Sequence, residues 1–416
     1  MNKLKFYVFF VLVTGFISLV SYNPPEIIIL GPNFHEHDYF EEELDLISNE
    51  LGIKIKYETV VDPETFLIEN PNNKYSIAII PNPQGVVNLA EKGLIYNLQN
   101  LYIDENEISI MYSQHLNSIV SYNNEIYAGW LRLLPNSLIW YDTKKLEKQN
   151  VSFDSFESMI NDTNQIADLG TPPWCLNSES AASSGWVQTN WLEDIILTKY
   201  GPDVYDKWSN LDIKSSNIKI YSSVKLIGDI VFYPNHVFGG KNSIIFEEFR
   251  NLPKILFSDS SDCFLSWSGH YFRYFIPENL EYEVDYGVVS FPKINFEDTV
   301  VGIGDNVVLV KNNKLSREVV SKILSKDFGN IWSSYSDTEF ISANKFFDSK
   351  VINNELTVFE FDLIHKALKR DVFRYDSSEL MPRPIGSNKL WIFFNDYISA
   401  GPGALVRLLN NLDKEF

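Results

Sequence analysis

The segment Glu26–Gly31, EIIILG, is apolar almost from end to end, and a stretch of helical spacing follows it closely. A short unbroken apolar run bounded by turn residues reads as a buried strand. Phe40, Leu44, Ile47 and Leu51 then recur at helical spacing, which predicts an amphipathic helix over 38–51. Residues 53–57 alternate apolar and polar, and 76–80 form a second buried run. Pro81, Pro83 and Gly85 break the chain into a loop, and a helix restarts over 86–92. The order strand, helix, strand, strand, helix is α/β architecture, in which ligands bind at the carboxyl ends of strands. Later segments continue the mixture: 191–199 and 317–325 read as helices, 285–291 and 307–310 as strands.

At 416 residues the chain exceeds one ordinary core, which implies two domains. A formal net charge of −20 repels phosphate backbones and anionic membranes, so nucleic acid is set aside as a partner. At the N-terminus, Lys3 and Lys5 precede an apolar run over 6–20, followed by Pro24 and Pro25. That run is shorter than the about 20 residues a membrane-spanning helix needs. It fits a secretory signal peptide over 1–22, with an uncleaved anchor as the alternative. No cysteine lies near its end, so no lipid-anchored N-terminus is expected. Cys175 and Cys263 are the two cysteines. In an exported chain they suit one disulfide closing a long loop, worth about 4 to 5 kcal/mol by chain entropy. Two separate buried thiols are the alternative.

The stretch Gly170–Trp191, GTPPWCLNSESAASSGWVQTNW, carries three tryptophans, a cysteine, a glutamate and several small polar residues. Tryptophan is large and its N–H wants a partner when buried. Three of them beside Ser, Asn, Gln and Glu suit a cleft with flat apolar walls and a polar rim. Five further blocks accompany it: 79–98 (IIPNPQGVVNLAEKGLIYNL), 125–142, 285–292 (DYGVVSFP), 301–310 (VGIGDNVVLV) and 375–391 (YDSSELMPRPIGSNKLW). Six blocks in this order resemble the extracellular solute-binding proteins of ABC transporters, sugar-binding family 1, in their alpha-glucoside-binding-like branch. The resemblance runs from about residue 26 to the C-terminus. Departures include Asn190 where an Asp is usual, Val187 for a Pro and Asn124 for a Gly.

That resemblance implies a two-lobed periplasmic binding protein fold (type II, maltose-binding-like) with a hinge and an interlobe ligand cleft. The first lobe would contain 26–135 and 299–344, and the second 136–298 and 345–416, with the first crossing near Pro135 and Asn136. It implies a periplasmic, monomeric protein that binds a carbohydrate and delivers it to ABC transporter permease subunits, with no cofactor, metal or catalytic residue. The Cys175–Cys263 bond would staple the second lobe.

Aromatic rings bind sugars because the C–H face of a pyranose packs flat on a ring, while polar groups at the edge read the hydroxyls. Trp130, Trp174, Trp186, Trp267 and Trp391 are the candidate stacking surfaces, each with core packing as the alternative. Trp391 resembles the family's ring-stacking aromatic and Trp267 its cleft-wall aromatic, whereas Trp191 and Trp332 sit in helical segments and read as core. Gln84, at the tip of the Pro-rich loop, can donate to and accept from a hydroxyl pair. Asp305 follows Gly302 and Gly304, glycines that let backbone approach a ligand. Glu179, Arg132 and Arg383 suit hydroxyl contacts or ion pairs equally. His35, Glu36 and His37 read as loop residues near the cleft rather than a metal site. Two rival readings are a secreted glycoside hydrolase using carboxylates among Glu179, Asp305 and Glu379, and a membrane-anchored sugar sensor.

Overall fold

The computed structural model describes residues 24–414, so the signal peptide read over 1–22 lies outside the described residues. The larger sheet begins with β1 (Glu26–Gly31), β2 (Lys54–Thr59) and β3 (Ile77–Ile80), all parallel, with β1 in the middle. Two small hairpins follow, β4 (Tyr102–Ile103) with β5 (Asn106–Glu107) and β6 (Ser121–Tyr122) with β7 (Glu125–Ile126). The chain then enters β8 (Ala128–Pro135), turns at Asn136 and Ser137, and leaves along β9 (Leu138–Asp142). A second, three-stranded antiparallel sheet places β9 between β10 (Leu265–Trp267) and β11 (Tyr286–Ser290). Strand β12 (Val300–Leu309) returns to the larger sheet, antiparallel to β3 and β8, and β13 (Phe373–Tyr375) pairs parallel with its start.

Local chemistry explains the helices around the first sheet. In α1 (His37–Leu51), Phe40, Leu44 and Ile47 face the core and Gly52 ends the helix at φ 62°. Asp62 caps α2 (Pro63–Glu69) by accepting from the Thr65 amide at 3.0 Å. Asn82 caps α3 (Pro83–Glu91) by accepting from the Gly85 amide at 2.6 Å. The helix therefore starts at Pro83, not at Val86 as the proline spacing suggests, because proline is favoured in a first turn whose amides need no intrahelical partner.

One core collects residues from Ile27 to Leu133 and from Val307 to Tyr375, and a second collects residues from Ile139 to Phe291 and from Met381 to Leu412. The molecule thus has two α/β lobes. The stretch 345–416, read from sequence as second lobe, contributes residues to all three core clusters. Phe361, Ile364, Ala367, Phe373 and Tyr375 join the first core, because helix Glu355–Lys369 and β13 complete the first sheet. Cys175 and Cys263 are bonded, with Cα atoms 5.5 Å apart, in a third cluster under the small sheet.

Three chain crossings meet at one place between the lobes. The Asn136 amide donates to the Val301 carbonyl at 2.8 Å, and the Asp376 amide to the Gly302 carbonyl at 2.8 Å. Helix Trp186–Tyr200 runs underneath, buried from Val187 to Thr198 on every face. Its Asp194 accepts from Ser137 Oγ and from Trp267 Nε1 at 2.7 Å, and its Glu193 accepts from the Ser377 hydroxyl at 2.6 Å. Burial holds Asp194 up at about 7. Buried carboxylates without a cation are expensive unless donors surround them, and the crossing strands supply those donors.

Candidate functional site

The cleft between the lobes has a polar first wall. β8 and β12 place Arg132 opposite Asp305, where a register shift in β12 falls between Asp305 and Asn306. Arg132 Nε donates to Asp305 Oδ2 at 2.6 Å, and both side chains are nearly covered. The guanidinium also lies 4.6 Å above the Phe34 ring and 5.7 Å from Trp332. Its Nη1 is buried and has no hydrogen-bond partner among the described residues. The loop after β1 adds His35, beside Glu339 at 3.4 Å, and Glu36, which accepts from Trp332 Nε1 at 2.8 Å. Burial, then the charge of Glu339, lifts the Glu36 carboxyl to about 7.

The second wall is aromatic. Gly185 (φ +103°) lets the start of helix Trp186–Tyr200 abut the start of helix Trp391–Ala400; a Cβ there would stand 2.1 Å from the Trp391 carbonyl oxygen. This close approach brings the half-buried Trp186 and Trp391 to one place. Trp186 meets Tyr271 and Phe249 edge-on, at 4.5 and 5.5 Å between centroids. Trp391 Nε1 and both amide atoms of buried Asn190, one turn along from Trp186, have no partner among the described residues. Partnerless buried polar atoms on both walls are groups that a solute or water must satisfy.

The lobes touch across the cleft. Arg383 of the second lobe donates to Asp62 Oδ2 at 2.8 Å and to Glu64 Oε2 at 2.8 Å, both in or beside α2 of the first. Burial pushes Asp62 upward, but Arg383 and the Thr65 donors outweigh it and hold the carboxyl down at about 2. Glu379, beside this pair, is pushed up to about 7 by burial and by Asp376. The Tyr274 ring lies 4.9 Å from the His35 ring.

Of the residues read from sequence, the structure pairs Arg132 with Asp305, joins Arg383 to Asp62 and Glu64, and sets Trp186 close to the start of the helix that Trp391 begins. It places Trp130, Trp174 and Trp267 elsewhere. Trp130 is buried in the first core, its N–H donating to the Leu116 carbonyl at 3.2 Å. Trp174 is fully covered in the second core. Trp267 is stacked between Trp191 and Phe291, at 5.4 and 4.7 Å, and no face of its ring is open. Gln84 lies in the first turn of α3 and donates to Asn88 at 2.9 Å. With Val87 and His115 it faces Asp206, Asn210 and Leu380 across a crevice of about 400 Å³. Glu179 accepts from the Ala181 amide at 2.7 Å. The glycines before Asp305 serve strand packing: a Cβ on Gly304 would lie 2.3 Å from the Arg132 carbonyl oxygen. Asp305 itself is committed to Arg132.

The sequence reading did not name Tyr271 and Tyr274, whereas it had set Glu36 near the cleft and marked Asn190 as a departure. An aromatic run after Trp267 (HYFRYF) was the one available signal. His37, Asp38 and Glu41 offer ligand atoms within 4.8 Å of one another, but on the first turn of α1, where the helix dipole opposes a cation.

No family model matches the chain. It is 25% identical over 433 aligned residues to the osmoprotective compounds-binding protein GgtB of Synechocystis sp., covering 99% of this chain and 100% of the relative. It is 24% identical over 371 residues to the alpha-glucosides-binding periplasmic protein AglE of Rhizobium meliloti, covering 85% of this chain and 79% of that one. Its relatives are solute-binding proteins. Among solved structures, the bacterial solute receptor AcbH superposes with a TM-score of 0.75 at 13% identity, covering 94% of this chain and 98% of the other. Maltose-bound MalE3 of T. maritima superposes with a TM-score of 0.66 at 10% identity, covering 94% and 98%. The fold is therefore the two-lobed maltose-binding-like one. No helix among the described residues is long and apolar enough to cross a membrane.

Proposed function

We propose that this protein captures a small carbohydrate, an alpha-glucoside or another oligosaccharide, between its lobes and delivers it to an ABC permease in the membrane. The observation that supports the reading is half-buried aromatic surface with unmet polar atoms: Trp186 and Trp391 with the partnerless Trp391 N–H, together with the partnerless Arg132 Nη1. A sugar has an apolar face for the rings and hydroxyls for the partnerless donors. The alpha-glucoside assignment follows AglE, and the osmoprotectant binding of GgtB widens the class to compatible solutes. Export to the periplasm and action as a monomer complete the proposal. A hydrolase is disfavoured because Asp305 is spent on Arg132 and Glu179 on a backbone amide.

A thermal-shift panel of mono-, di- and trisaccharides and other osmolytes tests it. A ligand at 100 times its dissociation constant adds about 2.7 kcal/mol of stability. A shift with an alpha-linked disaccharide that is lost in Trp391→Ala supports the reading. A shift with a non-sugar osmolyte alone would keep the fold and overturn the sugar.

A further inference from the structure

The second lobe sends one short segment, His270–Phe275, whose Tyr271 meets Trp186, into the first lobe. His270 is fully buried there between two carboxylates. Its Nδ1 lies 2.9 Å from both oxygens of Glu360, and its Nε2 lies 3.5 Å from Glu339 Oε2. Glu339 lies in the first-lobe stretch whose Ile341 carbonyl accepts from the Leu133 amide of β8. Glu360 lies on helix Glu355–Lys369, which packs Phe361, Ile364 and Ala367 into the first core and Leu356 into the cluster that holds Phe272.

A neutral imidazole has one N–H and one lone pair, so it must turn a lone pair toward one of these carboxylates. Nε2 makes an ion-pair contact with Glu339 rather than a hydrogen bond, and only imidazolium sets a positive charge between the two acids. Arg273 completes the cluster: Nη1 donates to Glu360 at 3.0 Å and to Thr357 at 3.0 Å, and Nε stands 3.5 Å from Glu339. Two buried acids thus face one permanent cation, Arg273, and the titratable His270, with a second titratable group, His35, 3.4 Å from Glu339. The other titratable groups around His270 are Tyr274 on the same segment, 5.6 Å from the His270 ring, and His35 and Glu36 on the loop after β1, which reach it through Glu339.

We propose that protonated His270 clamps the two lobes together, so that solute is held at low and neutral pH and released as pH rises. This rests on the reading of interlobe solute capture. Loss of the proton leaves Glu360 against Arg273, and Glu339 against Arg273 and His35, and parting the lobes lets Glu339 regain water. Burial lowers the proton affinity of His270, but Glu360 and Glu339 outweigh it and raise the group above its ordinary value. The sign follows: a raised histidine stabilises the contact fully below its unperturbed pKa, and the contribution is lost as pH rises through the raised one.

The test measures lobe separation by small-angle scattering on the solute-free protein from about pH 5.5 to about pH 9, with maltose dissociation constants over the same range. The expected result is a separation that grows with pH, and a maltose affinity that falls by up to about tenfold per pH unit above the midpoint. His270→Gln should flatten both profiles. Should that variant unfold, the imidazole resonances of the parent protein still decide, because His270 must titrate above the ordinary histidine value. A separation unchanged across the range, or the same profile in parent and His270→Gln, overturns the clamp. Failure of maltose and every other sugar to bind would sink the solute reading alone, since the solute-free profile judges the clamp independently.

Discussion

Asp305→Ala separates a ligand contact from a structural ion pair. In the sequence Asp305 looks like a hydroxyl acceptor; in the structure its carboxylate is bonded to Arg132 at 2.6 Å, and the two side chains are 11% and 6% exposed. Removing one partner of a buried pair leaves the other charge uncompensated, which costs about 3 to 5 kcal/mol. Phe34 and Trp332 face the guanidinium in parent and variant alike, so they do not change the difference; the residual solvent exposure of the pair places the cost at the lower end, about 3 kcal/mol. For a lobe of this size each kcal/mol moves the midpoint by about 2 to 4 °C, giving a fall of about 6 to 12 °C. Scanning calorimetry of the solute-free protein reads this directly. The double variant Arg132→Leu/Asp305→Leu should regain most of the loss, because no buried charge is left alone. A solute-free Asp305→Ala protein melting within about 2 °C of the parent would refute the pairing argument and return Asp305 to the ligand.

Four further expectations follow from the structure. Reduction of Cys175–Cys263, whose separation is 88 residues, should cost about 4 to 5 kcal/mol and move the calorimetric transition of the parent, while Cys175→Ala/Cys263→Ala stays insensitive to reductant. Arg383→Ala should widen the lobes in scattering at low salt, with the difference from the parent shrinking above roughly 0.5 M salt. Because Asp62 is held down at about 2, its pairing is complete above the ordinary carboxylate range and is lost only as pH falls through that value, so scattering of the parent should show this contact persisting to about pH 3. Gly185→Ala should drive the two helix starts apart and weaken solute binding by about tenfold or more, read by titration calorimetry on a protein with unchanged helical circular dichroism.

Much of the fold was legible. EIIILG as a buried strand, the Phe40–Leu44–Ile47 face and the α/β order all appear in the structure, because each depends on spacing along a few turns. Helix boundaries were less legible: Pro83 reads as a breaker until Asn82 is seen to cap the helix. Helix Trp186–Tyr200 starts earlier than its apolar spacing shows, because its first turn buries the polar residues Gln188, Thr189 and Asn190 beside Val187.

The candidate site divides along the same line. With two cysteines in the chain, one intramolecular pairing was available, and the local sequence already marked Gly185–Trp186 and Trp391 as unusual. Which tryptophans keep an open face was decided only by tertiary packing. Trp267 and Trp391 have similar sequence surroundings in chemical terms, yet one is sandwiched between Trp191 and Phe291 and the other stands half-buried on the wall. Asp305 meets Arg132 across 173 residues, and His270 meets Glu360 across 90. Periodicity is a property of neighbours in the chain, so it specifies which face of an element is buried. The partner of a buried charge is specified by which elements pack together, and that information exists only once the lobes have closed around it.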